Sequence, residues 1–188
     1  MNQTISKPRA NPEQTAKIAL AVTLASETFF FGTLISAFLF MRGTQPWPVV
    51  HTLERLALPT ANTLILLVSA LLVYLGQKAI RRGDRAGMMR WFAISLGLGL
   101  AFVAGQVFEY TGNGLLPWDA GFGGVFFTLM GFHALHMLAG VFVHALVLNM
   151  ARQGDFTPRR HVAVQVASYF WYYVVAVWAV LYTVLYLV

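Results

Sequence analysis

The 188-residue sequence contains no cysteine, which excludes disulfides, thiolate metal sites and covalently attached haem. Charge is scarce too: 11% of residues are Asp, Glu, Lys or Arg, where a soluble domain carries about a quarter. No stretch reads as a soluble domain, a low-complexity segment or a periodic repeat. What is present is apolar, 58% of the chain, and the composition is that of a polytopic membrane protein.

Five apolar runs reach the roughly 20 residues that cross a bilayer, at about 17–41, 60–80, 91–110, 122–150 and 162–188. The fold expected is all-α: a five-helix transmembrane domain over 17–188, preceded by a polar tail over 1–16. The start, "MNQTISKPRANPEQT", is too polar and too long for the n-region of a signal peptide, and the run after it is too long for an h-region.

The formal net charge of +6 raises nucleic acid as a partner, but the basic residues lie between the apolar runs, which is a topology signal instead. Eleven fall on one side: Lys7, Arg9, Lys17, Lys78, Arg81, Arg82, Arg85, Arg90, Arg152, Arg159 and Arg160. Only Arg42 and Arg55 fall on the other. The positive-inside rule then puts the N-terminus inside and the C-terminus outside. Trp47, Trp118, Tyr182 and Tyr186 suit an aromatic belt at the outer interface, and Asp119 marks an outer turn.

Glu27, in "SETFFFG", lies ten residues into its run, roughly 15 Å along a helix. A charge there costs about 2.5–3.5 kcal/mol, less if the carboxyl is protonated, paired or turned to a hydrated cleft. A proton or lipid-headgroup site and a hydrogen-bonded packing residue both remain open for it. Thr23, one turn earlier, is expected to offer a hydroxyl on the same face. Glu109, with Gln106 and Tyr110 in "GQVFEY", is expected to form a polar edge near the outer headgroups.

His133 and His136 stand i, i+3 in "GFHALHML", with His144 two turns further; His51 and His161 lie in or beside loops. Metal sites in bundles draw ligands from several helices, so one helix of histidines disfavours a haem or metal centre. A Glu27–His133 pair across the bundle is the specific expectation. Gly97, Ala101 and Gly105, like Gly32 and Ser36, form small-residue rows that admit close helix approach.

Together these segments resemble subunit III of the haem–copper oxidases, in its five-helix bacterial form. "SETFFFG" is similar to that family's Ser-Glu-x-x-Phe-Phe, which places its intramembrane glutamate at Glu27. "LPTANTLILLVS" resembles Pro-x-x-Asn-Thr, with Asn62 and Thr63, and "GQVFEY" resembles Gln-x-x-Glu-Tyr. "GGVFFTLMGFHALHMLAG" resembles Phe-Phe-x-x-Thr-Gly-Phe-His-Gly-Leu-His-Val. The last run keeps His161, Trp171 and Trp178 of the family pattern but has Gln165, Tyr172 and Val175 where Glu, His and Asp are usual.

The resemblance implies a non-redox accessory subunit of a cytochrome c oxidase in the bacterial cytoplasmic (inner) membrane. Haem and copper are expected in the partner catalytic subunit I and none in this chain. It also implies contacts with other oxidase subunits, bound phospholipid, and support of proton uptake in a proton-translocating complex. Glu27, Asn62, Gln106, Glu109, His133, His136, His161 and Trp171 are the expected lipid or structural polar positions. Arg81, Arg82 and Arg85 suit anionic lipid, although topology alone accounts for them. A subunit III-like partner of a quinol oxidase or nitric oxide reductase, and an independent proton channel or transporter, are the alternatives. The inverted repeats and broken helices of transporters are not visible.

Overall fold

A computed structural model describes residues 11–44, 53–112 and 122–187. Lys7, Arg9, Trp47, His51, Trp118 and Asp119 lie outside the described residues, as does most of the polar tail. Five helices follow in order: α1 Pro12–Thr44, α2 Leu53–Arg81, α3 Arg85–Gly112, α4 Phe122–Gln153 and α5 Val162–Tyr182. A π-helical turn, Thr183–Leu187, continues α5. All five are long and apolar enough to cross a membrane, and the described residues contain no strand beyond an isolated bridge, Thr157 to Arg160.

The helix ends follow local chemistry. The Asn11 side chain accepts from the Glu13 N–H at 3.1 Å, and Pro12 supplies a preset φ for the first turn of α1. The helix therefore starts ahead of the apolar run. Helix α2 also starts early and runs through Pro59, whose carbonyl accepts from the Thr63 hydroxyl at 2.8 Å. Two helices end in the same motif. Gly83 at φ 84° and Gly154 at φ 90° occupy the left-handed position, and the N–H groups of Gly83 and Asp84, and of Gly154 and Asp155, close back on α2 and α4. Asp84 then caps α3, accepting from the Gly87 N–H at 2.7 Å.

Helices α2, α3, α4 and α5 form a closed ring in which each packs on the next and α5 returns to α2. The fifth, α1, lies outside the ring against α4 and α5. The buried stripe of α5 recurs every three or four residues: Val164, Ala167, Trp171, Val174, Trp178 and Leu181. By contrast, α1 buries only Phe31 and Phe38, and Val22, Phe29 and Phe40 face away from the chain.

The glycine rows are not where the sequence places them. A side chain at Gly97 or Gly32 would meet open space, and Ala101 and Ser36 are exposed. Close approach happens instead at Gly99 and Gly140, which flank the Trp171 indole from α3 and α4. Of the expected row, Gly105 alone makes room for a neighbour, the Asn62 amide.

A candidate polar scaffold between the helices

Three polar groups cross helix boundaries within the bundle. The first is Glu27. Its Oε2 lies 3.0 Å from His136 Nε2, joining α1 to α4, with Glu27 28% and His136 17% exposed. His136 Nδ1 meets its own helix at the Phe132 carbonyl, 2.7 Å away, so both ring nitrogens are engaged.

His136 corrects the expected partner. His133 lies three residues earlier, turned about 60° from His136 around the helix axis, and that turn carries it into the ring. There it is 2% exposed and stacks on Trp178 at 5.2 Å between ring centroids, and neither ring nitrogen has a partner. Helix α1 runs along the His136 line instead. The Thr23 hydroxyl does not serve Glu27 either, because it bonds to the Ala19 carbonyl at 3.0 Å.

A double-mutant cycle tests the geometry. Glu27→Gln and His136→Gln are expected to couple by about 0.6–1.7 kcal/mol in unfolding measurements on the purified protein. Glu27→Gln and His133→Gln are expected to add within about 0.3–0.5 kcal/mol. Coupling to His133 instead would contradict the geometry.

The second group stitches α5 to α2. Trp171 Nε1 donates to Ser69 Oγ at 3.0 Å, and seven residues on Trp178 Nε1 donates to Thr63 Oγ1 at 2.9 Å. Ser95 of α3 adds a bond to the Ser69 carbonyl at 3.1 Å. His144 packs beside Trp171, 4.5 Å between ring centroids, with Nδ1 at the Gly140 carbonyl.

The third group centres on Glu109, which is 7% exposed. Tyr186 donates to its Oε1 at 2.6 Å, and Gln106 Nε2 approaches Oε2 at 3.4 Å. The Tyr110 hydroxyl donates in turn to Gln106 Oε1. Tyr186 therefore points inward, at 4% exposure, while Tyr182 shares a hydrogen bond with Thr60. The π-helical turn aims Tyr186, and Arg42 of α1 holds that turn by donating to the Val184 carbonyl at 3.0 Å.

At the start of α5, Gln165 donates its amide N–H to His161 Nε2 at 3.0 Å. Of the eight expected positions, Glu27, Gln106, Glu109, His136, His161 and Trp171 make side-chain hydrogen bonds. Asn62 is buried with its amide nitrogen unpartnered, as are both nitrogens of His133. Ser69, Ser95 and the glycines at Trp171 also build the scaffold and are not singled out by sequence; the two tryptophans seven residues apart are the one signal toward them. No three His, Asp or Glu side chains gather into a metal site among the described residues.

The model of the family described as cytochrome c oxidase subunit III matches residues 9–188. A cytochrome c oxidase subunit 3 from Thermostichus vulcanus is 35% identical over 172 residues, covering 90% of this chain and 86% of the relative. One from Synechocystis is 37% identical over 167 residues, covering 87% and 72%. A probable cytochrome c oxidase subunit 3 from Mycobacterium tuberculosis is 34% identical over 184 residues, covering 95% and 90%.

Proposed function

Because the chain belongs to the cytochrome c oxidase subunit III family, we propose that it is the non-redox accessory subunit of a respiratory oxidase in a bacterial inner membrane. It packs against the catalytic subunit, which carries the haems and copper. The N-terminus and the α2–α3 turn face inside, on the side favoured by the basic residues.

The attachment of α1 carries this reading. Along its length α1 is bonded to the rest of the chain through Glu27–His136 and Arg42–Val184, while Ile18, Val22, Phe29, Leu39 and Phe40 face outward. Between α1 and α5 lie two open cavities, one lined by Lys17, Leu20, Leu24 and Tyr169 and a second, further along the helix pair, lined by Gly32 and Val177. An amine above an apolar cavity suits a phospholipid whose phosphate sits at Lys17 and whose acyl chain follows the helix pair. The Glu27–His136 bond pins α1 so that this lipid and the catalytic subunit meet a fixed surface. Support of proton uptake on the inner side follows from holding that surface rather than from a relay through Glu27.

The test is purification through an affinity tag on this chain. The expected result is a coloured complex in which a haem-bearing catalytic subunit co-migrates, and slower proton uptake in vesicles when the chain is deleted. An isolated, colourless and transport-active protein would sink the proposal in favour of a transporter.

A further inference from the structure

The turn joining α2 to α3 carries a second feature, distinct from the α1–α5 cavities. Lys78, in the last turn of α2, and Arg82, the first residue past its end, are four residues apart and both exposed, and neither pairs with a carboxylate among the described residues. Like charges at that spacing repel. The two cations stand at the rim of an open cavity of about 230 Å³, with Leu75 and Ala79 below them on α2 and Trp91 across from them on α3. Leu71, one turn beyond Leu75 and 56% exposed, continues the apolar stripe away from the turn.

Asp84 also lines the cavity, but its carboxylate is committed to capping α3 through the Gly87 N–H. Two cations against this one carboxylate leave the site a net positive charge. Its polarity is graded along the helix axis in the order of a lipid: cations at the turn, an aromatic ring at the boundary, leucines toward the membrane interior.

We propose that this cavity is a binding site for an anionic phospholipid. Lys78 and Arg82 hold the single negative charge of its phosphodiester, Trp91 flanks the glycerol region, and an acyl chain lies over Leu75 and Leu71. The site offsets the Lys78–Arg82 repulsion and anchors the inner end of the α2–α3 hairpin. It rests on the membrane placement and orientation proposed above.

The test uses the assembled oxidase complex in nanodiscs of phosphatidylcholine doped with phosphatidylglycerol, with lipids retained by this subunit counted by native mass spectrometry. One tightly held phosphatidylglycerol is expected at this site. Each cation contributes about fivefold to its affinity, so Lys78→Gln with Arg82→Gln weakens retention about 25-fold. Leu75→Trp, which fills the cavity and leaves both charges, loses the lipid too. Arg152→Gln, which removes a charge from the end of α4 outside the cavity, retains it. The proposal is overturned if phosphatidylcholine is held as well as phosphatidylglycerol. It is equally overturned if the double variant retains the lipid, if Arg152→Gln loses it to the same degree, or if inorganic phosphate displaces it. Co-migration of the haem-bearing subunit is scored on the same samples. Its absence from the wild-type sample counts against the accessory-subunit reading, and lipid loss from an intact variant complex supports this site.

Discussion

Trp171→Ala is expected to lower the unfolding free energy by about 3–5 kcal/mol, measured by denaturant titration of the purified protein in micelles. The indole is fully buried at the centre of the ring formed by α2 to α5. Its edge atoms sit where a side chain on Gly99 or Gly140 would stand: Cη2 lies 2.6 Å from a Cβ at Gly99, and Cε3 lies 2.8 Å from one at Gly140. Three helices are shaped around one ring. Lipid tails are as apolar as the core, so the loss comes from forfeited dispersion contacts and the cavity left behind, not from exposure to water.

Ser69→Ala separates the packing from the hydrogen bond. It removes the acceptor of the indole N–H and is expected to cost about 0.6 kcal/mol, with an upper bound of about 1.7 kcal/mol. Packing therefore outweighs the bond severalfold, and an equal cost for Ser69→Ala and Trp171→Ala would reverse that conclusion. Gly140→Val approaches the same site from the other side. Its Cβ would strike the edge atoms Cε3 and Cζ3 of the indole, and the overpacking is expected to cost about 1–3 kcal/mol.

The five helices were legible because a bilayer allows few alternatives. Backbone groups in lipid must be satisfied within the segment, so a run of about 20 apolar residues is a helix. The turns rest on residues that the apolar pattern does not mark. Gly83 and Gly154 stand where a left-handed residue closes a helix, and Asp84 stands where a carboxylate caps the next one. Which face of each helix points inward was not legible. In a soluble protein the polar face marks the outside, but here the surroundings and the core are both apolar, so periodicity no longer distinguishes them.

That loss explains the errors at the level of single residues. The Gly97–Ala101–Gly105 row and the Gly99 position differ by two residues, or about half a turn, and nothing in the composition of α3 chooses between them. His133 and His136 differ by only about 60° around α4, so the histidine partner of Glu27 was misassigned although the helix that supplies it was not. The inward turn of Tyr186 depends on the π-helical register of Thr183–Leu187, and no residue there announces that register. Polar residue types in the apolar runs did mark the scaffold. Glu27, Gln106 and Glu109 all find hydrogen-bonding partners, because an unpartnered polar group in lipid is costly.

Glu109→Ala is the second substitution with a large expected effect. Both carboxyl oxygens accept, one from Tyr186 and one from Gln106, so removing the side chain orphans two buried donors. Each orphaned group costs about 1–3 kcal/mol, to which the cavity adds. Glu109→Gln keeps an acceptor oxygen facing Tyr186 and is expected to cost less than about 1 kcal/mol. A loss as large as that of Glu109→Ala would mean that the charge matters rather than the hydrogen bonds. Tyr186→Phe removes the donor and leaves the ring in place, and its effect should be largely absent in the Glu109→Ala background, which is the signature of a direct bond. The two variants also differ in place. Amide exchange at Thr183–Leu187 is expected to accelerate in both, because Tyr186 is the side chain that draws the π-helical turn onto α3. The middle of α5, held by Trp171 and Trp178 through their bonds to α2, should remain protected. Exchange that accelerates along the whole of α5 would show instead that Glu109 supports the ring as a unit and that the turn has no separate anchor.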